Sequence, residues 1–310
     1  MTDTSTRPPV LHRISNYLHR RPGFRLLLVL GLPVLWLVGV YGGSLISLLL
    51  QSFFRLNPFS GVLERVISLD TWESLFTSAN NAVIVRTVGM ATAVTIASVI
   101  IAFPLAYYMA RYASRQVKAI LVLAVLVPLW SSYLVRVYSW KLILAADGII
   151  NWFVDRLGME AALQAFLQAP VIGGPSLSIS LFGQFVVFVS IWLPYMVLPI
   201  HASLERVPGS LLEASADLGA QPAFTFRKVT WPLAIPGVVA GSIFTFSLTL
   251  GDYIIPTIIG DSSPFIGLAI YSYQGVAGNL PLAAAFSFVP IAVMAVYLTM
   301  ARKFGAFEAL

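Results

Sequence analysis

The chain has 310 residues, of which 58% are hydrophobic and 10% charged, and its mean hydropathy is +0.85. A soluble domain carries roughly 25% charged residues, so 19 Lys+Arg and 13 Asp+Glu cannot coat a water-soluble fold of this size. This composition points to a polytopic membrane protein and excludes a disordered chain or a basic nucleic-acid-binding domain. With no Cys, disulfide frameworks, thiolate metal sites and cysteine nucleophiles are excluded too.

Residues 1–25 read as a basic tail carrying Arg7, Arg13, Arg20, Arg21 and Arg25. The apolar run 26–50 exceeds the h-region of a signal peptide, about 7–15 residues. At about 1.5 Å per residue it is long enough for a hydrocarbon core of about 30 Å, so it is read as a retained first span. Further apolar stretches predict spans near 82–110, 118–142, 180–201, 232–255 and 282–301. The expected fold is an all-α polytopic helical bundle: a six-span domain over 26–301, a loop at 202–231 and a short tail at 302–310. Pro128, Arg136 and Lys141 interrupt the third span, which is expected to bend or leave the bilayer near Tyr133. Residues 147–178, with Gly173, Gly174 and Pro175, read as an extramembrane excursion with a short amphipathic helix around 151–157. Two Gly-xxx-Gly steps, Gly39–Gly43 and Gly237–Gly241, are candidate close helix contacts. Prolines 33, 104, 128, 194, 199, 236 and 290 predict bent helices, tolerated where neighbours satisfy the freed carbonyls.

Thirteen of the 19 basic residues fall in 1–25, 111–118, 202–231 and the C-terminal tail, against six on the other side. The positive-inside rule therefore places both termini and the 202–231 loop in the cytoplasm, consistent with an even number of spans.

That loop is the most informative stretch. Pro208 and Ser210 mark a helix start, and Ala214, Ala216 and Leu218 favour helix. Gly219 suits the left-handed position that ends one. Gln221–Pro222 restarts the chain, leaving Phe224 and Phe226 as aromatics in a nominally aqueous loop: a protrusion shaped to dock, or an amphipathic helix lying on the membrane surface. The run Glu213-Ala214-Ser215, Gly219, then Val229-Thr230-Trp231-Pro232 resembles the cytoplasmic motif of ATP-binding-cassette (ABC) importer permeases, Glu-Ala-Ala, three residues, Gly, nine residues, Ile-x-Leu-Pro. Ser215, Val229 and Trp231 depart from it. The resemblance implies a type I importer permease fold and a loop that docks on a separate ATPase, with Glu213, Ala214, Ser215, Asp217, Gly219, Pro222, Phe224, Phe226, Val229 and Pro232 as its coupling residues. It also implies a second homologous permease, two ATPases that bind ATP and Mg, an extracytoplasmic solute-binding protein, and residence in a bacterial inner membrane. The runs 128–140, 194–199 and 250–256 are similar to the polyamine (spermidine/putrescine) branch, the first permease of a putrescine-type importer.

No Gly-x-x-x-x-Gly-Lys-Ser/Thr run is present to cradle phosphates. His12, His19 and His201 have no acid and nucleophile at a recognisable spacing, and no zinc ligand set is offered. The chain is read as non-catalytic, without cofactor or metal. Candidate solute contacts lie at span ends. Asp252 is the charge for a cationic solute, with Tyr253, Trp130, Tyr133, Trp192 and Tyr195 as cation–π faces. A rival role for Asp252 is an ion pair with Arg136 or Lys141, and the aromatics also suit an interfacial belt. Rival solutes are γ-aminobutyrate, an opine-like compound, or a ferric or anionic solute; an ion-driven secondary transporter is the alternative class.

Overall fold

The computed structural model describes residues 22–57, 60–261 and 263–303. The expectations for the two tails beyond residues 22 and 303, His12 and His19 among them, lie outside the described residues. In chain order, α1 (Pro22–Trp36) runs through a π turn at Leu37–Gly42 into α2 (Gly43–Ser52). A short antiparallel pair, β1 (Arg55–Leu56) and β2 (Leu63–Glu64), follows, a local feature that an all-helical reading did not anticipate. Then come α3 (Asp70–Leu75), α4 (Ser78–Arg111), α5 (Arg115–Trp130), α6 (Tyr133–Ile143), α7 (Ile149–Arg156) and α8 (Glu160–Leu167). The remaining helices are α9 (Leu181–Glu205), α10 (Gly209–Asp217), α11 (Pro222–Thr225), α12 (Trp231–Gly251), α13 (Ile254–Ile258), α14 (Ile266–Gly275) and α15 (Leu280–Lys303).

Five stretches are long and apolar enough to cross a membrane: Val29–Ser52, Ser78–Arg111, Leu181–Glu205, Pro222–Gly251 and Leu280–Arg302. The pair α5–α6 makes a sixth, bent by 99° at Ser131–Ser132. The first arm ends at Trp130, where the Pro128 carbonyl accepts from both the Ser131 N–H (3.3 Å) and the Ser131 hydroxyl (2.8 Å). The expected bend near Tyr133 is where the chain breaks.

The core is built by α4, α9 and α12. On α4 the inward stripe is Val83, Thr87, Met90, Ala91, Val94, Ser98, Ala102, Ala106 and Met109, spaced by three or four residues and dominated at the far end by small side chains. Gly237 and Gly241 of α12 sit against α9: a Cβ at Gly237 would meet the Pro199 carbonyl at 2.5 Å, and one at Gly241 would meet Met196 Sδ at 2.7 Å. Close backbone approach is how helices gain packing where no hydrophobic drive separates them from lipid. At Gly39 and Gly43, spelled the same way, a Cβ would meet nothing within 4 Å, because α1 and the exposed face of α2 have no neighbour in the chain there.

Residues 147–178 form two short helices, α7 and α8, where the sequence predicts one. They close with a turn in which Val171 adopts φ +75° and Gly173 lies on the Leu167 carbonyl.

Candidate functional site

Two sites come from the residues singled out in the sequence, one at each end of the bundle.

At the loop end, α10 starts at Gly209 behind Pro208 and stops at Gly219, which has φ +75°. Ser210 gives no side-chain cap. The Gly219 N–H donates to Ala216 O (2.8 Å) and the Ala220 N–H to Ser215 O (3.1 Å), which satisfies carbonyls that the helix end would strand. Gln221 turns the chain and Pro222 opens α11, where its missing N–H costs nothing. Ser215, the position where the motif departs from alanine, shares a hydrogen bond with the Thr225 hydroxyl (2.8 Å) and ties the two short helices into one hairpin. Glu213 and Asp217 lie on α10, and Val229 lies in the π turn Phe226–Thr230 that leads through Thr230 into Trp231 and Pro232 of α12.

The hairpin tip is apolar and exposed: Leu218 is 87% exposed and Phe224 56%. Phe226 corrects the expectation of two solvent-facing aromatics. Its ring packs edge-on against Phe103 and Tyr107 of α4, both at 5.8 Å between centroids. Trp231, the other departure from the motif, lies 5.0 Å from Phe103 in the same cluster. The larger side chain therefore joins the loop to the second span. Sequence reading missed the polar counterpart. Arg111, the last residue of α4, donates from Nη2 to Leu204 O (3.0 Å) and Val207 O (3.1 Å) at the root of the loop. Lys118 of α5 pairs with Glu205 (2.8 Å), whose carboxylate also lies 3.7 Å from the buried His201. The only signal for these contacts was basic charge at the ends of spans. Between α9, α10 and α12 lies an apolar cavity of about 510 Å³, lined among others by Pro199, Arg206, Leu211, Pro236 and Gly237.

At the opposite end, Asp252 follows the last residue of α12 and is buried. Its Oδ1 accepts from the backbone N–H of Ile254 (2.7 Å) and Ile255 (3.1 Å), capping α13. Its Oδ2 accepts the Tyr133 hydroxyl, from the first residue after the break in the third span. Tyr133 stacks on Trp192 (5.6 Å, 19°), and Trp192 meets Tyr195 edge-on (5.8 Å). Trp192 Nε1 is buried without a hydrogen-bond partner.

The ion pair weighed for Asp252 is not formed. Neither Arg136 nor Lys141 lies within 4.0 Å of it; the Arg136 guanidinium sits over the Tyr133 ring at 5.9 Å instead. Of the other sequence candidates, Tyr253 turns away and stacks on Tyr271 (5.1 Å, 11°), and Trp130 is 80% exposed at the end of α5. The structure thus brings together Asp252, Tyr133, Trp192 and Tyr195 and leaves Tyr253 and Trp130 outside. Beside this end, Arg55 bridges Glu64 (2.6 Å) and Asp70 (3.6 Å) across the β1–β2 turn. The Asn57 amide, then Arg55, hold the Glu64 carboxyl below its usual range.

A bundle of bent membrane helices with one protruding helical hairpin defines a multi-pass transport subunit, and its fold is that of a type I importer permease. No protein-family model matches the chain. It is 52% identical over 302 residues to the inner membrane ABC transporter permease protein YdcU of Escherichia coli K12, covering 97% of this chain and 96% of that one. It is 27% identical over 215 residues to the spermidine/putrescine transport system permease protein PotB of the same organism, covering 69% and 73%. A crystal structure of a bacterial ABC transporter involved in import of the acidic polysaccharide alginate shares the fold, with TM-score 0.66 and 16% identity over 94% of this chain and 99% of that one. The chain belongs to the family of ABC transporter inner-membrane permeases.

Proposed function

We propose that this permease imports a small polyamine of the putrescine/spermidine class, working with a second permease, two ATPase subunits and an extracytoplasmic binding protein. ATP is bound with Mg and hydrolysed by the ATPases, and this chain contributes no catalytic group. The 209–230 hairpin faces the cytoplasm, as do both termini, in keeping with the bias of basic residues toward that side. The observation that carries the reading is the hairpin itself. Gly219 at positive φ sets its bend, and Leu218 and Phe224 are presented outward. Phe226 and Arg111 fix its base to the second span and the end of α9. An ATPase groove closing on that tip would push on α4 and α9 together as a rigid unit, the kind of movement that exchanges outward and inward openings.

The polyamine class is supported by the PotB relatives and by the surroundings of Asp252, a carboxylate beside the stacked rings of Tyr133 and Trp192. Carboxylates and aromatic faces are what an alkyl diammonium needs. The test is uptake by the complete complex in proteoliposomes, with putrescine, spermidine and γ-aminobutyrate compared under saturating binding protein. ATP-dependent accumulation of a polyamine supports the reading. Accumulation of γ-aminobutyrate alone replaces the solute while keeping the transporter class.

A further inference from the structure

Asp252 is the buried carboxylate among the described residues, and three of its roughly four accepting positions are taken by protein donors. Two backbone N–H groups of α13 occupy Oδ1, and the Tyr133 hydroxyl occupies Oδ2. The two kinds of partner differ. Ile254 and Ile255 are the next turn of the same chain segment, so their bonds persist as long as α13 does. Tyr133 is 119 residues away, on the outer half of a span broken by 99°, and its bond joins that half to the end of α12. It is the separable one.

We propose that the Tyr133–Asp252 hydrogen bond is a latch across the solute path, opened when an ammonium group of the solute replaces the Tyr133 hydroxyl on Oδ2. This rests on the cationic-solute reading above and assigns a role to each residue. A buried carboxylate oxygen without a donor is costly, so loss of the Tyr133 hydroxyl from Oδ2 is offset when an ammonium takes its place. An ammonium is a charged donor and forms the stronger bond, roughly twice that of a neutral hydroxyl. The exchange therefore favours a cation over water or a neutral solute. Once displaced, the phenol leaves its ring stacked on Trp192, and the incoming charge takes the place of the hydroxyl at the ring's edge, held by Oδ2. A carboxylate solute gains nothing here, since it cannot donate to Oδ2 and is repelled by it. Tyr133 is thus a specificity-determining residue through competition, and its hydroxyl is expected to weaken solute binding rather than support it.

The test measures half-saturation of putrescine and spermidine uptake by the complete reconstituted complex. Tyr133→Phe keeps the ring on Trp192 and removes the competing donor, so half-saturation should fall by about two- to tenfold, the worth of one neutral hydrogen bond. In the Asp252→Asn background the same substitution should have little effect, because the contested charge is gone. Fluorotyrosine incorporated at Tyr133 makes the phenol a stronger donor without deleting an atom and should raise half-saturation; it decides the matter if the Phe variant fails to assemble. Unchanged or raised half-saturation in an assembled Tyr133→Phe complex, or a fluorotyrosine complex that matches wild type, overturns the latch. A wild-type complex that transports no polyamine overturns the cationic-solute reading first, and the displacement with it.

Discussion

Arg111 and Leu204 are joined where the second span meets the root of the protruding hairpin: Nη2 of the arginine donates to the leucine carbonyl at 3.0 Å, and to that of Val207 at 3.1 Å. Leu204 lies at the end of α9 and Val207 just beyond it, where carbonyls run short of intrahelical donors. A single guanidinium nitrogen therefore fastens α4 to the segment that carries the hairpin.

Arg111→Gln should loosen that fastening while leaving the hairpin fold intact. Hydrogen bonds from a charged group contribute about 1.5–3 kcal/mol. The expected outcome is a complex that assembles and hydrolyses ATP but imports several-fold less solute per ATP. Arg111→Lys, which keeps charge without the fork, should fall between the two. The ratio of uptake to hydrolysis in proteoliposomes is the readout, and an unchanged ratio in the Gln variant removes Arg111 from the coupling route.

Gly219→Asp should spare folding and harm coupling. No atom lies within 4 Å of where its Cβ would be, and aspartate is among the residues that tolerate the left-handed region. The cost within the chain is about 1 kcal/mol. The new carboxylate instead projects beside Leu218 on the apolar tip. Thermal stability of the isolated permease pair should change little, while solute-stimulated ATPase of the full complex should be lost. Normal stimulation would show that the tip does not meet the ATPase.

Orientation is tested with single cysteines, which are unambiguous because the chain has none of its own. Gly173 is unsuitable as an outer label, since a Cβ there would lie 2.0 Å from the Leu167 carbonyl oxygen. Val171, 85% exposed in the same turn, is suitable. In intact cells an impermeant maleimide should modify Val171→Cys and spare Ala223→Cys, with both modified after permeabilisation. The reverse pattern would put the hairpin outside.

The contrast between what was legible and what was not follows from the range of each interaction. The break after Trp130 was legible because Pro128, Arg136 and Lys141 interrupt the apolar run locally. The left-handed stop at Gly219 was legible for the same local reason. Gly39–Gly43 and Gly237–Gly241 read alike, yet only the second pair touches another helix of the chain, because spacing records a surface and not what lies against it. Asp252 and Tyr133 were both singled out as solute-contact candidates, with an ion pair from Asp252 to Arg136 or Lys141 as the rival. Their hydrogen bond to each other was not legible, because it depends on the 99° bend that presents Tyr133 and turns Arg136 over the Tyr133 ring. Phe226 and Trp231 were read as loop residues because their partners, Phe103 and Tyr107, lie more than a hundred residues earlier.

The β1–β2 turn should respond to acid. Its Glu64 carboxyl is held below the usual range, first by the Asn57 amide and then by Arg55. A depressed carboxylate contributes stability that is present above the ordinary glutamate value and lost as pH falls through the lowered one. Protection factors for the amides of 55–57 and 60–64, corrected for the intrinsic pH dependence of exchange, should therefore hold from pH 7 to 5 and fall below about pH 4. Glu64→Gln should show the faster exchange already at pH 7. Equal exchange in the variant and wild type at neutral pH would mean that Arg55 and Asn57 do not hold the turn.

The docking role of the hairpin is tested most directly by a photo-crosslinking amino acid at Leu218 in the assembled complex. Val276, equally exposed beyond the end of α14, serves as the outer control. Irradiation should yield an adduct between position 218 and the ATPase subunit, and none from position 276. A complex that imports solute and hydrolyses ATP, yet gives no ATPase adduct from position 218, would contradict the assignment of the 209–230 hairpin as the coupling element.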